Sequence, residues 1–317
     1  MNKISLADFL KLPIVNGYRQ CPANTDYSNI ITFEDSCFFG ESCVFGDYTA
    51  FKSKSMFSDG CVFGTKTTFA DNSVFGNSNS FSKYCQFGDQ CRFGKKNTFG
   101  DSCYLGQKTS FDISNHFGGG CGIGVFSKIG RNTTFGDRCS VGGYSYIGIN
   151  CQFGNKCTIG NNSLISFGCS FGNSCEMGSE LHIGATCKFG EYCVFSAGSF
   201  FEAGCEFGPN SRFTDNTTFR ENNIFGDYCI FEYSNIFGPR CEFGDGCFFN
   251  EFNVFKEYCK FGKNTEIESG YKHFYLNDST NRAGIIRLYG GYIDETCKFA
   301  TPIKWSVPDY INVGGNK

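Results

Sequence analysis

Two residue types in this chain are equipped for chemistry in number or in kind. There are 21 cysteines and three histidines, His116, His182 and His273, among 317 residues. A thiolate can attack, ligate a metal or pair as a disulfide, and an imidazole can act as base or ligand. Spacing decides among these. Nineteen of the cysteines, from Cys37 to Cys259, stand two residues before a large apolar residue, as in Cys85 and Phe87, and their separations are multiples of six. A zinc site needs Cys-x-x-Cys or converging histidines, and a six-residue spacing supplies neither. Residues two apart share one side of a strand, so the thiols face the same way as the large residues. There a thiol acts as a small hydrophobe. Cysteines stacked on neighbouring strands would stand about 4.8 Å apart, beyond the usual disulfide Cβ separation. The expectation is reduced, structural thiols with no metal and no cofactor, in a cytoplasmic protein.

The elements that position these groups follow from one period. From Phe33 to Ile267 a large apolar residue recurs at every sixth position, forty times without insertion or deletion, and thirty of the forty are Phe. Twenty-five of them are followed by Gly, giving the unit Phe-Gly-x-x-Cys-x seen in Phe87-Gly88-Asp89-Gln90-Cys91-Arg92. Each hexad reads as a short strand plus a turn. The glycine is expected to supply a left-handed bend, with Asp, Asn, Glu or Lys on the exposed corner. Residues 18 apart fall into columns of one type: Leu105, Ile123, Val141, Ile159 and Met177 form one, and Cys85, Cys103, Cys121, Cys139 and Cys157 belong to another. Three hexads therefore close a coil. The fold class is all-β, a three-sided parallel β-helix of 18 residues per coil, and residues 27–267 make about thirteen coils.

The spelling resembles the hexapeptide-repeat proteins, which carry an aliphatic residue, Gly or an acid, two free positions, a small residue and one more. The resemblance covers about three quarters of the chain and implies a left-handed coil. Phe stands where that family usually has Ile, Leu or Val, so the core is crowded. The coils near residues 123 to 183 relieve it with two aliphatic residues and one Phe each. The Phe-Gly-x-x-Cys form is similar to uncharacterised hexapeptide proteins of phages and prophages. The best-known members of the family are acyltransferases, trimers with a His base near a subunit boundary and loops that interrupt the helix. His182, outward at mid-strand, is the candidate for that role here, although no insertion surrounds it and only Glu180 stands near it in sequence. The trimeric carbonic anhydrase on this fold needs three converging histidines. His116 and His182 are 66 residues apart, which is not a multiple of 18, so they lie on different faces.

Net charge is −3 without blocks of one sign, which argues against a nucleic-acid partner and against a DNA mimic. No apolar stretch is long enough to span a membrane or serve as a signal peptide. Residues 1–26 are expected to cap the open N-terminal edge, with a short amphipathic helix over Ser5-Leu6-Ala7-Asp8-Phe9-Leu10 and Ser5 as its cap. Residues 268–317 are expected to close the other end or to serve in oligomerisation, with Trp305 packing that cap.

The outward mid-strand positions, sorted by 18, give three unlike faces. One is mostly polar, running from Val44 through His116 to Lys260, and one is mixed. The remaining face carries Phe38, Met56, Val74, Tyr146, Leu164, Phe200, Ile236 and Val254, and its corner adds Ile149 and Phe167. A large exposed apolar strip marks a protein contact. These ten residues are the expected interface of a homo-oligomer, a dimer or trimer by closed symmetry. The strip covered by the chain's own C-terminal segment is the alternative. The functional expectation is a non-enzymatic, rod-like scaffold or protein-binding protein. The phage-like spelling implies a virion component or an inhibitor of a host protein, in the host cytoplasm. The alternative is an acyltransferase-like enzyme using His182.

Overall fold

The computed structural model describes residues 1–268, 285–288, 291–294, 298–299 and 304–306. His273, Cys297 and most of the segment expected to close the C-terminal end lie outside the described residues. The chain divides into two units, residues 1–170 and 171–317. Each is built from three parallel sheets in the left-handed β-helical arrangement.

In the first unit, two-residue strands pair with strands 18 residues away. One sheet sets Val62 against Ser80 and His116 against Thr134. A second sets Gln86 against Tyr104, and a third sets Met56 against Val74 and Tyr146 against Leu164. In the second unit the corresponding partners include Glu206 and Ile224, Arg212 and Ile230, and His182 and Phe200. The expected 18-residue coil is the observed one.

The short strands follow from the small-x-large pattern. Both flanking residues turn inward and are buried, as with Cys85 and Phe87, while the residue between them faces out. Because strands stack at about 4.8 Å, rings of one column lie parallel at nearly that distance. Phe51 and Phe69 stack at 5.0 Å and 2°. Rings of neighbouring columns meet edge to face, as do Phe45 and Phe51 at 5.0 Å and 86°. Three phenylalanines per coil fit because each ring presents its face along the stack and its edge across it, a geometry worth roughly 0.5–1.5 kcal/mol per pair beyond burial. Where the coil holds two aliphatic residues, one ring column persists: Phe117, Phe135 and Phe153 stack at 4.7 and 4.4 Å.

The expectation for the glycine is corrected. The left-handed residue is not the glycine after the large residue but the one just before the small residue, such as Gln90 (φ 59°), Ser102 (φ 58°) and Tyr144 (φ 56°). The glycine is needed for space instead. A Cβ on Gly88 would stand 2.2 Å from Asp71 Oδ1 and 2.6 Å from the Asp71 nitrogen. That carboxylate reaches over the glycine to accept from the Asp89 N–H at 2.8 Å. Asp59 does the same for Asn77, above Gly76, and Asp89 for Gln107, above Gly106. Where the corner residue one coil earlier is Ser53 or Thr65, the position holds Ala70 or Ser82 instead. At these corners the glycine lets the acidic residue of the preceding coil approach closely enough for a charge-assisted hydrogen bond between coils.

The small inward residues bind coils by a second ladder. The buried Asn79 and Asn97 N–H groups donate to Asn97 and Asn115 Oδ1 at 2.9 and 3.0 Å. Ser127, Ser145 and Ser163 accept from the Thr109, Ser127 and Ser145 N–H groups in the same way. At the N-terminus the helix is Leu6–Leu10, with the Ser5 side chain accepting from the Asp8 N–H, as the sequence indicates. Its one buried residue, Phe9, packs edge to face on Phe33 at 5.1 Å. Arg19 Nη1 donates to the Leu10 carbonyl at 2.7 Å and holds the helix end.

Candidate functional site

The thiols come first, since they are the most numerous reactive groups. Cys85, Cys91, Cys103, Cys121 and Cys139 are buried, free thiols. Cys121 Sγ donates to the Gly100 carbonyl at 3.2 Å, and Cys139 Sγ to the Gly118 carbonyl at 3.2 Å. Burial pushes the Cys91 thiol up to about 12. The Cys139 thiol is raised by its hydrogen bonds with Cys121 and Cys157, and further by burial. A neutral, buried, hydrogen-bonded thiol is a poor nucleophile. Among the described residues, no three His, Cys, Asp or Glu side chains are grouped to hold a metal ion.

The second unit does bring His182 into a constellation. Its Nε2 lies 3.6 Å from Glu202 Oε1, and its ring stacks on Phe200 at 5.1 Å. Arg220 Nε is 3.2 Å from Glu202 Oε2, and its guanidinium lies over the Phe200 ring at 5.5 Å. The carboxylate missed in the sequence is therefore Glu202, not Glu180. The signal was an offset of 20, one coil plus two residues, which also joins Arg212 to Glu232 and, in the first unit, Tyr146 to Ser166. Glu202 occupies the usual glycine position, above the small corner residue Ala185. Chemically the set resembles an oriented imidazole. Yet Glu202 is shared with a permanent cation and the ring is engaged by Phe200, so the group works first as a ladder between coils. His116, in the first unit, is held by Thr134 Oγ1 at 2.6 Å from Nδ1.

The ten residues of the expected interface all reach the surface at least in part. In the first unit Phe38, Met56 and Val74 are half-buried and adjacent in one sheet. Arg92, Ser110 and Lys128 follow, and then Tyr146, Leu164 and Phe167 are exposed at 38%, 42% and 53%. Ile149 is half-buried at the corner before Phe167, where the Asn150 N–H donates to the Phe167 carbonyl. In the second unit Phe200 and Val254 are half-buried and Ile236 is exposed. The first unit thus holds the denser cluster, Tyr146, Ile149, Leu164 and Phe167, without a charged side chain among them.

The comparisons with known proteins add no neighbour. No family model, no curated protein and no solved structure matches this chain. Among the described residues, no helix is long and apolar enough to cross a membrane.

Proposed function

We propose that this protein is a non-enzymatic scaffold that self-associates through the apolar face of its first unit. The observation that carries the reading is the uncharged cluster of Tyr146, Ile149, Leu164 and Phe167, the last more than half exposed. Each large side chain removed from water is worth roughly 1.5–3 kcal/mol when fully buried, so the cluster favours a covered state. A second copy is the favoured cover because the cluster lies on a regular ladder, and an identical ladder has the same strand spacing. Closed symmetry then gives a dimer or trimer. The hexapeptide resemblance, whose enzymes associate as trimers, agrees with this. Its phage-like spelling supports a virion component or an inhibitor of a host protein as the biological setting.

A second reading, an acyltransferase-like enzyme, draws on the 3.6 Å approach of Glu202 to His182. The Arg220 contact on the same carboxylate speaks against it, because it ties up the group that would orient the base. Sedimentation of the wild type and of the Leu164→Glu, Phe167→Glu variant tests the proposal. The wild type should sediment as an oligomer, and the variant as a folded monomer with an unchanged circular dichroism spectrum. A monomeric wild type, or an oligomer that survives both charges, refutes the assignment of this face.

A further inference from the structure

A groove in the second unit lies between two columns of outward side chains. Asn222, Arg240 and Tyr258 form its corner side; Ile224, Glu242, Lys260 and Lys298 form its sheet side. Its volume is about 560 Å³, within the range of small-molecule sites. The three corner residues share the left-handed conformation, with φ of 60°, 59° and 61°. The guanidinium of Arg240 lies over the Tyr258 ring at 5.9 Å.

Each charge along this column of the sheet side has an opposite partner one coil away until the last rung. Lys188 pairs with Glu206 at 2.9 Å, and Lys260 with Glu242 at 2.5 Å. The next strand, Lys298–Phe299, sets Lys298 directly opposite Lys260. Like charges facing each other across strands are destabilising, so an acid would be the favourable residue at 298. Lys260 is neutralised by Glu242. Among the described residues neither Arg240 nor Lys298 has a carboxylate partner. Two uncompensated cations, one of them a planar fork, therefore face one groove beside a phenol and an amide. Arginine binds phosphate through paired N–H groups and lysine binds it as a point charge.

We propose that this groove binds the phosphate group of a small organic molecule. Arg240 and Lys298 hold the dianion, Asn222 donates to it, and Glu242 accepts from a neighbouring hydroxyl of the ligand. Isothermal titration with inorganic phosphate at low ionic strength tests this on the full chain. Saturable binding is expected, with Arg240→Gln and Lys298→Gln each weakening it about tenfold, close to 1.4 kcal/mol. Lys128→Gln, an exposed lysine of the first unit, should leave binding unchanged, and all three variants should stay folded, with Lys298→Gln melting no lower than the wild type because it relieves the repulsion from Lys260. Succinate, a dianion with carboxylates, should bind more weakly than phosphate. The proposal is overturned by the absence of saturable binding, by equal losses in the Lys128→Gln control, or by succinate binding in preference to phosphate.

Discussion

Replacing Gly88 with Ala separates the two roles a corner glycine can have. At Gly88 the backbone is not left-handed, so a dihedral argument assigns the change almost no cost. The packing argument assigns a large one, because the new Cβ would stand 2.2 Å from Asp71 Oδ1 with the Asp71 nitrogen at 2.6 Å behind it. Forced overpacking costs about 1–3 kcal/mol. If Asp71 swings away, its bond from the Asp89 N–H is lost as well, about 1 kcal/mol more at an exposed site. The sum is roughly 2–4 kcal/mol. Gly60→Ala is the opposite case: φ is +72° but the nearest atom to the new Cβ is 3.4 Å away, so the cost is about 1 kcal/mol. Adding Asp71→Ser to Gly88→Ala reproduces the Ser53 and Ala70 combination that the chain already uses, and should recover about 1–2 kcal/mol as a coupling energy. Urea unfolding of the single and double variants measures all three terms. The reasoning fails if Gly60→Ala costs more than Gly88→Ala, or if the Asp71 change brings no recovery.

Two further outcomes follow from the core. Phe135→Ala interrupts a ring column stacked at 4.7 and 4.4 Å and should destabilise the protein by about 3–5 kcal/mol; a loss below about 1 kcal/mol in urea unfolding would mean the rings are not packed as described. The Cys91 thiol, held up to about 12 from an ordinary 9.0 by burial, stays neutral in the folded state while the unfolded chain ionises first. Its contribution is complete below pH 9 and is lost as pH rises through 12, about 4 kcal/mol in all over three pH units. Unfolding curves that do not weaken between pH 9 and 12 would contradict this.

The coil was legible because its cause is strictly periodic. Leu105, Ile123 and Val141 reveal the 18-residue column in sequence just as Leu105 pairs with Ile123 and Ile123 with Val141 in the sheet. The role of the glycine was misread because Gly88 looks the same whether it is needed for φ or for space. Only the pairing of Gly88 with Asp71, 17 residues earlier, distinguishes them. Glu202 was overlooked because it stands 20 residues from His182, an offset that has meaning only once the coil is built. Beyond Ile267 the six-residue spacing resumes at Ile293, Phe299 and Trp305, which pair in register with Phe255, Phe261 and Ile267. The antiparallel pair Ile285–Leu288 and Gly291–Asp294 intervenes and hides the phase. The groove residue Lys298 was missed for the same reason.

Self-association through the first unit is tested most directly by the distance between copies. A spin label placed by Phe167→Cys, in a Cys297→Ser background, reacts selectively because the described native thiols are buried. The same label at Gln152, exposed on the polar face, is the reference. Electron dipolar spectroscopy should give a sharp intermolecular distance at residue 167 that is shorter than the one at 152. No intermolecular coupling at either position, or the shorter distance at 152, would contradict the account.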